Sequence, residues 1–350
     1  MERRHGIGQQ YGADLAALLV VGIWGINFVF MKAAFAQFDV LAFTFLRYTG
    51  MLVLGWSTLL WLYLRRRRPG ARSVAIDRAD RPRIVLAGVL GFSFYMLLSA
   101  VGLGHTTAFA NALLLAIAPL FMALFLWLLR LEAVGTWRWF GMLVSLAGAV
   151  IFLLAKRGGG AAELGDLLSL LAAVCYAAYV VVNKPLAMRY SAPVLTTYTM
   201  TAGSVPVLLL TLPALLSQHW GRVTPVGWIV LAWATVFPVF FAWSVWSWVN
   251  TRLGVGRSSL FMFLVPVISG ITGRLLLDEG FGLQGFLGAA LVLGGLAVAR
   301  RAAAAPAALP FSSAVRSSES QSPAKGSCSS ATIPSRRGRR TTSECARHRS

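Results

Sequence analysis

Arg47 lies six residues into an apolar run extending from 41 to 64, the deepest charged side chain in any apolar stretch of the chain. A central Arg costs on the order of 2.5–3.5 kcal/mol on membrane-insertion scales. It needs a partner, water or an anionic substrate, so two readings stay open: one member of a structural pair, or a group that binds a carboxylate. The other polar side chains at depth are uncharged. Trp24, Asn27, Tyr95, Ser99, Asn111, Tyr176, Tyr179, Trp243, Trp246, Ser258 and Ser259 all fall within apolar runs. Aromatic walls carrying a few hydrogen-bonding groups suit an amphipathic small molecule, although the same aromatics also serve as packing or as an interfacial belt. Pro119 and Pro266 stand in the middle of apolar runs, where each removes a backbone hydrogen bond and can kink its helix. Broken helices near the midplane often mark substrate sites.

Asp14, Lys32, Glu132, Asp166, Lys184, Asp278 and Glu279 lie nearer the ends of the runs, where long side chains reach the interface. Glu132 and Glu279 are expected to cap a helix or to pair with Arg across a tight loop. Arg274 and Asp278 are four apart and can pair on one helix face. Gly141, Ser145 and Ala149 form a small-residue stripe suited to close helix contact. Catalytic constellations are absent: of four His only His105 is near an apolar run, and no H-E-x-x-H, G-x-S-x-G or Walker loop occurs. Cys175, Cys328 and Cys345 form no C-x-x-C pair, so neither a disulfide framework nor a metal site is indicated, and no cofactor is expected.

The elements that must position these groups follow from composition. Of 350 residues, 57% are hydrophobic and only 13% are charged, against about a quarter charged in soluble domains. Such a chain cannot cover a water-facing surface, and the bilayer resolves the conflict. Crossing a hydrocarbon core of about 30 Å takes about 20 apolar residues per helix. Ten runs meet this pattern: 13–34, 41–64, 84–104, 108–129, 137–155, 165–183, 192–216, 226–248, 257–277 and 282–299. Strands are excluded, because no alternation is present and open sheet edges cannot sit in lipid. The net charge of +20 does not indicate nucleic acid. Eight arginines concentrate in the 65–83 loop and most of the rest lie at run ends or in the tail, as topology determinants do. With the N-terminus inside, the inner segments before the tail hold eighteen Lys and Arg and the outer ends five, which predicts both termini in the cytoplasm. Ala34-Phe35-Ala36 has a small-x-small form, but the preceding run is too long for a signal peptide and Lys32 precedes the site, so the first run is read as a retained helix. Residues 302–350 are rich in Ser, Ala, Pro and Arg and predict a disordered basic cytoplasmic tail.

The chain also repeats itself. Pro119, Glu132, Gly141 and Gly148 recur 147 residues later as Pro266, Glu279, Gly288 and Gly295, while Asp14, Trp24 and Lys32 match Asp166, Tyr176 and Lys184 at a spacing of 152. The longer 65–83 loop absorbs the difference. Each copy therefore holds five helices, and an odd number inserts the second copy upside down. The expected architecture is all-α integral membrane: a short N-terminal segment 1–12, a five-helix repeat 13–155, and an inverted five-helix repeat 165–299. Inverted repeats serve transporters because two opposed copies can exchange conformations and so alternate the open side.

Val21-Gly22-Ile23-Trp24-Gly25-Ile26-Asn27-Phe28 in the first run resembles the opening of the EamA family of the drug/metabolite transporter superfamily. So do the two copies of Pro, twelve residues, Glu and a Gly-spaced helix, the closer fit being Leu264-Val265-Pro266 through Leu277-Asp278-Glu279 to Leu287-Gly288. The resemblance spans roughly 13–299. It implies ten helices in two inverted halves, a central cavity open to one side at a time, and export of amino acids, related metabolites or drugs. It also implies that the runs carrying Trp24, Tyr95, Asn111, Tyr176, Trp243 and Ser258 line the cavity. The partners implied are a small-molecule substrate and the lipid bilayer of the inner membrane, with no nucleic acid; a homodimer is left open. A membrane-embedded enzyme or sensor and a passive channel are the competing readings.

Overall fold

The computed structural model describes residues 2–65, 75–131, 134–155, 160–280 and 282–304. Glu132, Arg66, Arg67, Arg68, Arg72, Lys156, Arg157, the side chain of Ser259 and the tail beyond 304 lie outside the described residues.

The described chain is helical throughout, without a strand. With no water in the hydrocarbon to take backbone N–H and C=O groups, a helix satisfies them within the segment. Eight helices are long and apolar enough to cross a membrane: α1 (Tyr11–Ala34), α2 (Val40–Leu64), α3 (Arg78–His105), α4 (Ala108–Leu128), α5 (Thr136–Leu154), α6 (Gly160–Arg189), α7 (Ala192–Ser217) and α8 (Pro225–Asn250). Two shorter apolar helices follow, α9 (Leu264–Leu277) and α10 (Leu283–Ala299). Side-chain caps set some of the starts. Asp39 accepts from the N–H groups of Leu41 and Ala42 ahead of α2, and the Thr107 hydroxyl accepts from Ala110 N ahead of α4.

The ten runs of the sequence thus become eight long helices and two short ones. The fourteen residues of α9 cover about 21 Å, short of the roughly 30 Å core. The run 257–277 is divided because the helix continuing from α8 reaches Phe261 and a turn at 262–263 precedes Leu264. That continuation is not straight. Ser258 Oγ donates to Asn250 Oδ1 over 2.5 Å, whereas eight residues of straight helix would separate them by about 12 Å. The chain bends sharply between the two.

Corresponding places in the two halves are distorted alike. A π-helical stretch, Val89–Tyr95, interrupts α3. Another, Phe237–Phe241, interrupts α8, almost 147 residues on, and there Pro238 removes a backbone donor. π-Bulges are frequent at functional sites. α4 is broken at 116–117, just ahead of Pro119, and the break at 262–263 stands just ahead of Pro266.

Packing is reciprocal as well. α1 lies against α8 and α9, while α6 lies against α3 and α4; α2 lies against α7, and α5 against α10. The α5–α10 seam brings the two backbones close together. A Cβ added at Gly141 would stand 2.6 Å from Gly295 O, and one at Gly148 would stand 2.8 Å from Gly288 O. The small-residue stripe read from the sequence is this seam, with Phe152, Val292 and Leu296 filling the core beside it.

Candidate functional site

The side chains singled out in the sequence fall into three groups, joined by polar links at the helix ends.

The first group is built on α2, α3 and α6. The π-helical stretch of α3 presents Tyr95, whose ring centroid lies 4.8 Å from that of Tyr176, and Tyr176 lies 6.1 Å from Tyr179. Tyr179 lies directly against Gly91, where a Cβ would stand 2.5 Å from its ring. Asn183 Nδ2 donates to the Tyr179 hydroxyl at 3.3 Å. Arg47 enters from α2. It is only 8% exposed, its Nε donates to Ala234 O at 3.1 Å, and the phenols of Tyr48 and Tyr95 are its titratable neighbours. Tyr48 is itself held, donating to Phe92 O.

The second group joins α1 to α8. Trp24 meets Trp246 at 5.4 Å and Trp243 at 6.1 Å, both edge-on, and its Nε1 donates to Pro238 O at 3.0 Å. Pro238 lies in the π-helical stretch, whose irregular ladder leaves a carbonyl for the indole. Trp243 is 52% exposed, so it forms the outer side of this group. Asn27 lies nearly one turn beyond Trp24. Its Nδ2 donates weakly to Met31 Sδ, and its Oδ1 is buried without a hydrogen bond.

The third group consists of buried hydrogen bonds. Asn111, fully buried at the start of α4, donates to Ser99 O at 3.0 Å and to Ser169 Oγ at 2.9 Å, and accepts from Ser99 Oγ at 3.3 Å. Asn111 and Ser99 therefore fasten α3, α4 and α6 together. In the second half Ser258, also fully buried, holds the bend to Asn250. Pro119 and Pro266 stand inside the helices that follow the two breaks.

Two polar links tie remote parts of the chain at the helix ends. At one, Lys32 Nζ lies 2.9 Å from Glu279 Oε1, and Ala108 N donates to both carboxylate oxygens at 2.9 and 3.1 Å. Lys32 also donates to Thr106 O, and Thr106 Oγ1 donates to Asp166 Oδ1 at 2.5 Å. Asp278, in the left-handed region with φ of 51°, turns the chain so that Glu279 folds back onto Gly273, and Arg274 pairs with Asp278 at 2.7 Å. Glu279 thus caps a helix, as expected, but its cationic partner is Lys32 rather than an Arg. At the other link Asp80 receives Arg189 at 2.7 Å and the Tyr190 hydroxyl at 2.6 Å. The Asp80 carboxylate holds that phenol above its ordinary value. Among the described residues no three His, Cys, Asp or Glu side chains lie together as a metal site would need.

Ser169, Thr106, Asp80 and Pro238 escaped the sequence reading. Ser and Thr are common in membrane helices, and nothing in the spacing marks which of them has a remote partner. Pro238 had a signal, since a proline inside an apolar run frees a carbonyl.

Comparison with known proteins follows the same division of the chain. A family model described as the EamA-like transporter family matches residues 12–154 and again 163–301. A probable terminal-alkyne amino-acid exporter of Streptantibioticus cattleyicolor is 31% identical over 237 residues, covering 67% of this chain and 76% of that protein. An uncharacterized transporter of Bacillus subtilis (strain 168), YdfC, is 25% identical over 79% of this chain and 87% of its own. A probable amino-acid metabolite efflux pump of Salmonella typhimurium is 24% identical over 80% of this chain and 92% of its own. A solved structure aligns with a TM-score of 0.54 at 21% identity over 83% of this chain and 97% of that one, a likeness of fold.

Proposed function

The chain belongs to the EamA-like transporter family, and from that premise we propose that it exports small organic metabolites of the amino-acid kind by alternating access. It is a multi-pass membrane protein and a transporter of that family. The proposed arrangement has ten spans, with α9 and α10 completing the second half, as inverted five-helix repeats at 13–155 and 165–299. It lies in the inner membrane with both termini cytoplasmic. Substrate is held between the tyrosine group of α3 and α6 and the tryptophan group of α1 and α8, with Arg47 beside the first.

One observation carries this reading: the two aromatic groups occupy corresponding places. Trp24 on α1 packs against α8, and Tyr176, its counterpart 152 residues on in α6, packs against α3. The contacted helix is distorted by a π-helical stretch in both cases. Two equivalent but opposed half-sites are what an alternating carrier uses, since each state of one half becomes the state of the other. The Lys32–Glu279 link closes the outer end in this scheme, and the Asp80–Arg189 link lies at the inner end. The exporter and efflux pump among the relatives support the direction and the substrate range.

Counterflow in proteoliposomes tests the proposal. A carrier shows trans-stimulation: labelled amino acid or related metabolite enters faster when unlabelled compound is inside. Uptake independent of internal compound would indicate a channel, and no uptake of any member of a broad metabolite panel would remove the transport reading.

A further inference from the structure

The cluster around Arg47 is rich in donors and poor in acceptors. Arg47 spends one N–H on Ala234 O. Its guanidinium carries four more, and none makes a hydrogen bond to another described residue. No carboxylate among the described residues lies within ion-pair distance; the titratable groups near it are the neutral phenols of Tyr48 and Tyr95. The Tyr48 hydroxyl is committed to Phe92 O. The hydroxyls of Tyr95 and Tyr176 make no hydrogen bond to another described residue, and their rings stand 4.8 Å apart, Tyr95 being the one nearer the cation.

A buried cation with open donors is costly unless something supplies negative charge. A residue needed only to hold the fold would be expected to carry its partner with it. The repeat makes the same point, because the position 152 residues beyond Arg47 is Thr199, a buried residue whose hydroxyl bonds back to Leu195 O in its own helix. The matching helix of the other half thus spans the bundle without a charge. Arg47 breaks the correspondence on the side of the bundle where Tyr95, Tyr176 and Tyr179 lie together.

We infer that Arg47 is the specificity-determining anchor for a carboxylate: the terminal N–H groups of its guanidinium grip the carboxylate oxygens of the substrate side by side, the Tyr95 and Tyr176 hydroxyls donate to the same oxygens, and the tyrosine rings cover an apolar or aromatic body. A planar guanidinium matches a carboxylate in two parallel hydrogen bonds. With no carboxylate among the described residues at ion-pair distance from Arg47, an amino group on the substrate gains no counter-charge from them, so organic acids without one bind at least as well as amino acids. This inference rests on the transporter reading and names the charge class of its substrate.

The test uses the purified full chain in detergent and a matched set of probes: phenylacetate and 3-phenylpropionate, their amides, and the amines phenethylamine and 3-phenylpropylamine. Binding is read by thermal shift and by quenching of intrinsic fluorescence. The acids should stabilise the protein and the amides and amines should not. Arg47→Gln should weaken acid binding at least tenfold, Arg47→Lys less, and Tyr95→Phe a few-fold while leaving the unliganded melting temperature near that of the wild type. Should Arg47→Gln not yield folded protein, Arg47→Lys and Tyr95→Phe carry the comparison. Equal shifts from acids and amides, no shift from any acid, or full acid binding in the Arg47 variants would overturn the inference. Counterflow separates it from the wider proposal. If the anchor is wrong, trans-stimulation persists with no preference for carboxylates. If the transporter reading is wrong, no probe or metabolite gives trans-stimulation.

Discussion

Ser145 Oγ donates to Val292 O at 2.9 Å, and the two residues stand 147 positions apart. That spacing is the repeat itself, so each touches its own counterpart. In a two-fold arrangement a residue meets its counterpart only at the axis, as in any self-complementary interface. The neighbouring contacts agree. A Cβ at Gly141 would lie 2.4 Å from Ala299 N, and one at Gly288 would lie 2.6 Å from Phe152 N, the same contact with the halves exchanged. An axis relating the two proposed halves would pass through the α5–α10 seam.

Gly295 and Gly294 give a controlled comparison on that seam. Ala at 295 would place its Cβ 2.4 Å from Ser145 N and 2.6 Å from Gly141 O, where only helix backbone could give way. Overpacking of this kind typically costs about 1–3 kcal/mol. At Gly294 nothing lies within 4 Å, and Ala there is neutral or gains up to about 1 kcal/mol from helix propensity. Melting temperatures of the two variants in detergent should separate clearly, with Gly295→Ala the lower; equal values would contradict the packing of the seam.

Glu279 is held by Lys32 and by Ala108 N, and its side chain is 9% exposed. Removing one partner of a mostly buried pair costs about 3–5 kcal/mol, more than the pair contributes on balance. Lys32→Met and Glu279→Gln should therefore each destabilise strongly, and the double variant should lose less than the two added together. A double-mutant cycle on thermal stability measures this. Strict additivity would show that the two groups act independently.

Asn111 and Trp24 should respond differently to truncation. Asn111→Ala leaves Ser99 O and Ser169 Oγ without their buried donor, at about 1–3 kcal/mol. Its main effect is lower folded yield. Trp24→Ala and Tyr176→Ala remove aromatic surface at the proposed site and should lower transport more than yield. Yield is read from size-exclusion profiles and transport from counterflow per folded molecule. Wild-type transport in both aromatic variants would move the site elsewhere.

Coupling to protons is not expected. The carboxylates described within helices lie near helix ends, Asp166 in contact with Thr106, and Glu279 just beyond α9 is tied to Lys32. Uptake should follow the substrate gradient, and an imposed pH gradient should not concentrate substrate. Accumulation beyond equilibrium on the pH gradient alone, abolished by Glu279→Gln, would identify Glu279 as the proton site.

Topology has a direct test. Reporters fused after Arg301 or within 75–80 should both behave as cytoplasmic, since Lys and Arg concentrate on that side. A periplasmic signal at either position would break the odd-helix repeat and with it the inversion.

The amino-acid sequence alone determined the class of the molecule: an all-helical membrane chain, repeated once, of a recognisable transporter family. Hydropathy and repetition are properties of the linear chain, because lipid demands that each segment satisfy its own backbone. It also marked Arg47, Trp24 and Tyr176, since charge and aromatic groups at depth are visible in one dimension. What surrounds them was decided only in three dimensions. That Asn111 is spent on Ser169, that Glu279 meets Lys32 rather than an Arg, and that no carboxylate among the described residues stands beside Arg47 each depend on helices far apart in the chain. The pairing of α5 with α10, the π-helical stretch at 237–241 and the bend at 250–258 fix those neighbours. Long-range partners follow from how helix faces pack, and packing is chosen by shape and close approach of the backbones, which no spacing along the chain records.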